Sequence, residues 1–275
     1  MFKVKLYGTR GSIPVCDSNY QKYGGNTTCL FIQTDNFTGI LDAGTGIRNL
    51  GKDLMKCNYE ACKHIYMAFS HFHWDHIQGF PFFAPAYDKN VKITFAAISK
   101  DASSIELERI LSFQMKQEYF PVPMGNMGAI FHFMKIDKEE LHKEAIDIRA
   151  IRHNHPGNAY SYRIDYKGKS AVFCTDIEHS NGIDANLVEL ARDTDVLIHD
   201  AQFTPEEYLL HKGWGHSSYE HAIEVGIKSN AKKLILTHHD PDHNDDFLSE
   251  LEENLTKQQK NLLLARDGME INLLD

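Results

Sequence analysis

A dense run of metal-binding side chains constrains this chain more than any other feature of its sequence. Positions 71–76 read HFHWDH, so four good metal ligands occupy six consecutive positions, directly after a segment that predicts a strand. Side chains two residues apart in an extended segment point the same way, and His71 and His73 can therefore converge on one ion. Asp75 and His76 then lie on the turn that leaves the strand, within reach of a second ion. Because imidazole and carboxylate ligands suit zinc, manganese or iron, the run predicts a divalent metal site.

Length and composition are those of a folded protein with an acidic balance. The chain has 275 residues, 42% hydrophobic content and a net charge of −9 from 29 Lys+Arg and 38 Asp+Glu. We expect one domain over residues 1–275, since domains commonly span about 100–200 residues and larger α/β domains are common. The apolar content excludes wholesale disorder, and the negative charge argues against broad adhesion to nucleic acid or anionic membrane. The 16 histidines are numerous enough to ask whether several cluster at one site.

Cysteine usage and the N-terminal segment predict a reduced, cytoplasmic protein. The N-terminus, MFKVKLYG, alternates charged and apolar residues like a strand and lacks the apolar core of a signal peptide. No apolar run approaches the ~20 residues of a membrane helix. The cysteines are odd in number and scattered, which is unlike a disulfide framework. They stand at Cys16, Cys29, Cys57, Cys62 and Cys174.

Hydrophobic periodicity predicts many short strands with helices between them. We expect strands at Lys3–Tyr7, Cys29–Thr34, Gly39–Asp42, His64–Phe69, Lys92–Phe95, Ala129–Lys135, Ala145–Arg152, Tyr160–Tyr166, Ser170–Cys174, Val196–His199 and Lys233–Leu236, and a closing pair of short strands. We expect helices at Gly46–Met55, Ser103–Met115, Ala185–Ala191, Pro205–His211, Ser217–Ser229 and Asp245–Lys257. Ser217 with Glu220 has the spacing of a capping box, which places a helix start just after His216. The order indicates two sheets packed face to face, with helices outside.

Three segments together resemble a known family. HFHWDH is similar to the HxHxDH motif of the metallo-β-lactamase superfamily, and its surroundings resemble the ribonuclease Z-type phosphodiesterase branch. Gly8–Pro14, which reads GTRGSIP, and Leu41–Gly46, which reads LDAGTG, are similar to that branch as well. The resemblance runs nearly end to end. It implies an αββα sandwich of two mixed sheets flanked by helices, with a two-metal site at one edge.

The resemblance also implies the remaining ligands. Asn154–Gly157 resembles the third ligand motif and offers His155, although His153 lies two residues earlier and a strand pattern could confuse the two. Asp176, at the end of a predicted strand, resembles the aspartate that bridges the two metals. His238 resembles the final ligand, leaving its neighbour His239 to support the site or contact substrate, and His243 is expected on a solvent-exposed loop. One ion would then bind His71, His73, His155 and Asp176, and the other Asp75, His76, Asp176 and His238.

A proton donor for the leaving group follows from the same resemblance. Asp200 stands in a stretch similar to the His-Glu-Ala-Thr stretch of ribonuclease Z, with Asp in place of Glu, and His216 in one similar to its His-Ser-Thr motif. A departing alkoxide is a strong base, so a positioned imidazolium can contribute ~10²–10⁴ in rate. A neighbouring carboxylate raises the pKa of the histidine and fixes its orientation. The expected catalytic residues are His216, Asp200 and Asp75.

The predicted reaction is metal-assisted hydrolysis of a small phosphodiester by an activated hydroxide. Ribonuclease Z carries a tRNA-gripping arm between its third ligand motif and its bridging aspartate, whereas here His155 and Asp176 are separated by only two predicted strands and a short turn. The chain also resembles small cyclic-nucleotide phosphodiesterases, including phage anti-Pycsar enzymes. We therefore expect a 3′,5′-cyclic nucleotide substrate in preference to large RNA, and no membrane partner. Two divalent ions are implied, with Zn²⁺ expected first and Mn²⁺ or Fe²⁺ as alternatives. We also expect a homodimer.

Other interpretations stay open at this stage. A ribonuclease Z-like tRNA 3′-processing endonuclease would engage tRNA without the arm. A non-enzymatic metal-bound sensor would need no leaving-group acid, so Asp200 and His216 count against it. Two aromatic stretches, Phe80–Phe83 and Tyr119–Met124, either frame a nucleobase or form core or a subunit contact.

Overall fold

The computed structural model describes residues 1–56, 63–98, 104–136, 140–143 and 145–274. Cys57, Cys62 and the predicted helix start at Ser103 lie outside the described residues. The strands of the described chain are β1 Phe2–Gly8, β2 Cys29–Thr34, β3 Thr38–Leu41, β4 His64–Ala68, β5 Lys92–Ile98, β6 Ile130–Ile136, β7 Glu140–Lys143, β8 Ile146–His153, β9 Ala159–Tyr166, β10 Lys169–Cys174, β11 Val196–Asp200, β12 Leu234–Thr237, β13 Leu262–Leu264 and β14 Glu270–Asn272.

These strands form two mixed sheets of matching design. The first has the order β14-β1-β2-β3-β4-β5-β6 and the second the order β13-β12-β11-β10-β9-β8-β7. Strands β3 to β6 run parallel to their neighbours in the first sheet, and β10 to β13 do so in the second. The remaining pairs are antiparallel. The carboxyl ends of neighbouring parallel strands meet at one edge of each sheet, which is where loop side chains can gather.

Helices cover the outer faces of both sheets. They are α1 Ile47–Lys56, α2 Trp74–Ile77, α3 Ser104–Phe113, α4 Ala185–Leu190, α5 Pro205–Leu210, α6 Tyr219–Lys228 and α7 Asp245–Gln258. Among the described residues, none of these helices combines the length and apolarity that crossing a membrane requires. The expected α/β sandwich of two mixed sheets flanked by helices is therefore confirmed.

Three layers of apolar side chains hold together the two sheets and the helices on their outer faces. The middle layer joins the facing sheets through side chains such as Val4, Ile32, Ile164 and Ile198, all nearly fully buried. The first sheet packs against α1 and α3 on its outer face. The second sheet packs against α4, α6 and α7 on its own outer face. Sheet faces that are apolar on both sides need such a cover on each side, which explains the αββα order.

Three residues that directly follow strands, at the edge where the carboxyl ends of the parallel strands meet, have a strained backbone. Asp42 follows β3 at φ 65°, Asp176 follows β10 at φ 56° and His238 follows β12 at φ 64°. Non-glycine residues adopt this left-handed region at a cost of about 1–3 kcal/mol, and they persist where the surroundings fix them. Strained residues at the ends of three strands make this edge a candidate functional region.

Three details differ from the sequence-based expectation. Strand β7, Glu140–Lys143, pairs antiparallel with β8 and was not expected, because its charged sequence lacks a strand pattern. The helix cap is Ser218 and not Ser217: the Ser218 Oγ accepts from the His221 N–H, whereas the Ser217 Oγ donates to the Ile177 carbonyl. Residues 74–77 also form the one-turn helix α2 where a turn was expected.

The middle apolar layer should respond strongly to truncation. Ile164 is 1% exposed between the sheets, and Ile164→Ala removes three buried carbons, so we expect a loss of about 2–5 kcal/mol of unfolding free energy. Ile130→Ala is the matched control because Ile130, on the edge strand β6, is 61% exposed, and we expect a change within about 0.5 kcal/mol. Urea unfolding of the two variants and the wild type measures both. Equal losses for the two would contradict this assignment of the core.

Candidate metal centre

Side chains from both sheets converge at the strained edge. His71 and His73 follow β4, and Asp75 and His76 lie on α2. His155 follows β8, Asp176 follows β10 and His238 follows β12. The structure therefore brings together all seven side chains that the sequence and the resemblance single out as metal ligands. They form two groups whose possible ligand atoms lie within 4.8 Å of one another: His71, His73 and His155 in one, and Asp75, His76, Asp176 and His238 in the other.

The first group consists of three imidazoles in close contact. The Nε2 atom of His155 lies 3.1 Å from the Nδ1 atom of His73, and the rings of His71 and His155 are 4.6 Å apart. His71 and His155 are buried, whereas His73 is exposed at the mouth of the site. A set of three imidazoles with one open side is typical of a catalytic metal site.

Asp176 lies between the two groups. Its Oδ1 atom is 3.7 Å from the His71 Nε2 atom of the first group and 3.3 Å from the His238 Nε2 atom of the second. Its Oδ2 atom is 3.2 Å from the His76 Nε2 atom. One carboxylate thus faces both groups, as the resemblance implies for a bridging ligand.

Unsatisfied ring nitrogens show that the site fits a cation. The Nε2 atoms of His71, His76 and His238 are buried, and none has a hydrogen-bond partner in the described structure. A buried polar atom without a partner is costly, and three such nitrogens gathered beside the carboxylates of Asp75 and Asp176 suit a shared cation. Neutral imidazole and carboxylate match the preferences of Zn²⁺, Mn²⁺ and Fe²⁺.

Hydrogen bonds to the far ring nitrogens fix these orientations. Asp42 accepts from the Nδ1 atom of His76 at 2.9 Å and from the backbone and hydroxyl of Ser70 at 2.7 and 2.8 Å. Two threonine hydroxyls, those of Thr28 and Thr175, lie 3.2 Å from the Nδ1 atom of His238. Such partners set which nitrogen is free to bind a metal. Asp42 lies inside the LDAGTG segment, but the sequence interpretation gave it no role.

The electrostatics of the site attract positive charge. Burial lowers the pKa of His76, but the charges of Asp75, Asp176 and Asp42 outweigh it and raise that pKa well above the usual value. Burial and the charge of His76 lower the pKa of His71 well below its usual value, and burial also lowers the pKa of His155. The carboxylates therefore favour a bound cation, while the lowered pKa values keep the imidazoles of His71 and His155 neutral and able to bind one.

Asp200 and His216 form a dyad beside the ligands. The Nδ1 atom of His216 lies 3.1 Å from the Oδ2 atom of Asp200, and its ring stacks 5.1 Å from that of His238. Burial lowers the pKa of His216, but the hydrogen bond to Asp200 and the charges of Asp200, Asp176 and Asp75 outweigh it and raise the pKa to about 9. Asp200, His216 and His238 also form a third group with ligand atoms within 4.8 Å.

Neighbouring histidines occupy structural positions. His153 uses both ring nitrogens, one on the Asp176 carbonyl at 3.0 Å and one on the Ser161 hydroxyl at 2.8 Å, so His155 is the one that faces the site. His239 faces away, with its Nε2 atom 3.0 Å from the Ala265 carbonyl. The expectation of an exposed His243 is wrong. That residue is buried, and its Nε2 atom pairs with Glu207 at 2.9 Å.

The two aromatic stretches divide between core and surface. Phe80 and Phe83 are fully buried against the first sheet. Phe82 and Tyr119 are 57% and 64% exposed, and the Phe82 ring meets Phe120 edge-on at 5.4 Å. Pro81 is buried as well, so three of the four residues of the Phe80–Phe83 stretch are core, as one of the two interpretations held.

Comparisons with known proteins point to one superfamily. The profile of the family described as "Beta-lactamase superfamily domain" matches residues 40–239. Ribonuclease Z of Picrophilus torridus is 24% identical over 294 aligned residues, covering 89% of this chain and 87% of the relative. The metallo-β-lactamase fold protein YhfI from Bacillus subtilis is similar in structure at TM-score 0.72 and 19% identity, covering 98% of each chain. A diphosphatase from the PhnP family reaches TM-score 0.72 at 20% identity, covering 99% of this chain and 98% of its own.

Substitution at His155 and His153 separates a ligand from a structural histidine two residues away. We expect His155→Ala to weaken Zn²⁺ binding by more than the roughly 10–100-fold that loss of an orienting partner costs, because it removes a member of the first group. His153→Gln keeps a donor for the Asp176 carbonyl and should retain the metal. Elemental analysis of the purified proteins and a competition titration with a chelator measure the difference. Loss of as much metal from His153→Gln as from His155→Ala would contradict the assignment.

Proposed function

Because the chain belongs to the metallo-β-lactamase superfamily, in its ribonuclease Z-like branch, we propose that it is a two-metal phosphodiesterase acting on a small substrate. The observation that carries this proposal is the Asp200–His216 dyad, packed against His238 beside two facing groups of ligand atoms. A site that only binds metal has no need of a protonated imidazole next to its ligands. A phosphodiesterase needs one, because its leaving group departs as a strong base.

The residues present divide the proposed reaction between them. His71, His73, His155 and Asp176 would hold one divalent ion, and Asp75, His76, Asp176 and His238 the other, with Zn²⁺ the metal that best suits this set. Bound there, such ions polarise phosphoryl oxygens and make water a better nucleophile. His216 donates its proton to the leaving oxygen, and Asp200 keeps that imidazole protonated and oriented. Asp200 is itself held by the backbone N–H groups of Asp176 and Ser217 at 3.0 and 2.9 Å.

A small substrate is supported by the connection between β9 and β10. The two strands are joined by a tight hairpin whose turn residues, Lys167 and Gly168, have φ of 48° and 75°. Both positive values are typical of a two-residue hairpin turn, so no arm is inserted between β9 and β10. The net charge of −9 gives no support to a phosphate-tracking surface for large RNA. We propose a 3′,5′-cyclic nucleotide as the substrate, and a homodimer in the cytoplasm as the working form.

A ribonuclease Z-like endonuclease is the second candidate. The ribonuclease Z of Picrophilus torridus aligns with 89% of this chain, which is the observation in its favour. This candidate predicts cleavage of precursor tRNA at its 3′ trailer. The hairpin in place of an arm is the observation against it.

A hydrolysis panel decides between these candidates. Cyclic mononucleotides, linear dinucleotides and precursor tRNA are incubated with enzyme supplied with Zn²⁺ or Mn²⁺, and products are separated by chromatography. We expect turnover of at least one cyclic nucleotide and none of precursor tRNA. The double variant His71→Ala/His73→Ala should lose bound metal and activity together, because both imidazoles of the first group that follow β4 are gone. Cleavage of tRNA with cyclic nucleotides untouched would establish the second candidate instead.

Loss of the His216 proton donor should depend on the leaving group. We expect His216→Ala to reduce kcat by ~10²–10⁴ for a cyclic nucleotide, whose leaving group is an alkoxide. The same variant should retain most activity on bis(p-nitrophenyl) phosphate, because nitrophenolate is a weak base and leaves without a proton. Steady-state kinetics on the two substrates measure the contrast. Equal losses on both substrates would show that His216 is not the acid.

Substitution of the partner carboxylate provides a pH test of the same dyad. Asp200 raises the pKa of His216, and the acid works only while protonated, so activity falls as pH rises through that pKa. Asp200→Asn removes the charge, and we expect the alkaline limb of kcat to move to lower pH. Bound cations lower the pKa of His216 in the variant and in the wild type alike. The measured quantity is therefore the difference in pH between the alkaline limbs of the two proteins. An unmoved alkaline limb would contradict the pairing.

A further inference from the structure

Both tryptophans of the chain are exposed, and one of them is held in an unusually constrained loop. Trp214 is 62% exposed, and Trp74 is 59% exposed. Trp214 stands between Gly213 and Gly215, whose φ values are 90° and 93°. An exposed indole offers a large aromatic surface on which a ligand can stack.

A buried carboxylate clamps this loop from below. Glu178 is 4% exposed. Its Oε1 atom accepts from the Gly213 N–H at 2.7 Å, and its Oε2 atom accepts from the Gly215 N–H at 3.0 Å. Hydrogen bonds to a charged acceptor are stronger than neutral ones, and these two hold the backbone on either side of Trp214. Glu178 lies two residues after Asp176, so the clamp and the candidate bridging ligand share one segment.

The loop packs directly on a metal-site histidine. The Gly215 carbonyl accepts from the Nδ1 atom of His155 at 2.9 Å. A Cβ atom at Gly215 would lie 2.1 Å from that nitrogen, so only glycine allows this approach. Trp214 therefore directly precedes Gly215, whose carbonyl supports His155, and it lies two residues before His216.

A series of ring contacts connects the indole of Trp214 to the proton donor His216. The Trp214 ring meets His211 edge-on at 4.7 Å, and His211 stacks on Phe203 at 4.7 Å with 12° between the planes. Phe203 in turn lies edge-on to His216 at 5.9 Å. The backbone on either side of the indole is thus held by Glu178, its ring contacts His211, and most of its surface is exposed two residues before His216.

We propose that Trp214 is a specificity-determining residue that stacks on the nucleobase of the substrate. This inference rests on the proposed function, since it requires a phosphodiester that carries a base. Every base has a π-face, so stacking on one rigid indole gives affinity without reading the base edge. A side chain whose flanking backbone is already held in the free protein loses less conformational entropy on binding, which is the advantage of the Glu178 clamp.

A pair of substrates with and without a base tests the proposal. The pair consists of the cyclic nucleotide turned over fastest in the panel and 1-O-methylribose 3′,5′-cyclic phosphate, which has the same phosphodiester and no base. We expect Trp214→Ala to raise KM about tenfold for the nucleotide, the size expected for a lost base–aromatic contact, with kcat nearly unchanged. KM for the base-free ester should stay within about twofold. Trp214→Phe should restore most of the lost affinity.

A matched control and a direct binding readout accompany the kinetics. Leu210→Ala truncates a residue that is 81% exposed at the end of α5, and it should change KM for neither ester. In Trp74→Phe, Trp214 is the sole tryptophan, and a slowly hydrolysed phosphorothioate analogue of the cyclic nucleotide should quench its fluorescence. The base-free ester should not.

The outcomes separate this inference from the function on which it rests. Equal KM changes for both esters, or no change for either, would overturn the role of Trp214 while leaving the phosphodiesterase proposal intact. Failure of the wild type to hydrolyse any phosphodiester would refute the function. The fluorescence titration would then test whether the nucleotide analogue binds at Trp214, independently of hydrolysis. Unquenched emission would overturn the proposed role of Trp214.

Discussion

The carboxylate of Asp176 is the group on which the rest of the site depends. It faces His71 with one oxygen and His76 with the other, so it joins residues carried by the first sheet to its own position at the end of β10 in the second. Its backbone is strained at φ 56°, and its N–H is held by Asp200. Each ligand group combines residues carried by both sheets, so the geometry within each group is set by how the two sheets pack. The middle apolar layer is in this sense part of the site, because a shift of one sheet against the other would distort both groups.

Much of this arrangement could be predicted because it is local in sequence. The alternation and β-branched content of segments such as Cys29–Thr34 predict strands whose bounds agree with the structure. His71, His73, Asp75 and His76 occupy one turn and the strand end before it, so their proximity needs no knowledge of the fold. His155, Asp176 and His238 came from resemblance alone. The spacing of these three along the chain contains no information about the parallel strand ends that gather them.

The features that sequence analysis missed depend on non-local contacts. Asp42 and His76 are 34 positions apart, and Glu178 reaches Gly213 across 35 positions. His243 was expected on a solvent-exposed loop, but it is buried and pairs with Glu207, 36 positions away. The capping residue was misplaced by one position because Ser217 and Ser218 are both good caps, and only the contact of Ser217 with Ile177 decides between them. Where two residues satisfy the same local rule, tertiary structure makes the choice.

Charge explains why recognition of the substrate would fall to the rim of the site. Asp42, Asp75, Asp176 and Asp200 are all buried at one edge of a chain whose net charge is −9. A phosphate approaching these carboxylates without bound cations would be repelled, so the loading of metal is an electrostatic precondition for binding an anion. The protein surface then contributes little attraction of its own, in contrast to enzymes that hold nucleic acid through basic patches. Contacts independent of charge must supply the remaining affinity and discrimination. The contact proposed for Trp214 is of that kind, because this exposed indole lies two residues before His216 in a loop whose backbone Glu178 holds. It adds no positive charge that would compete with the metals for the phosphate.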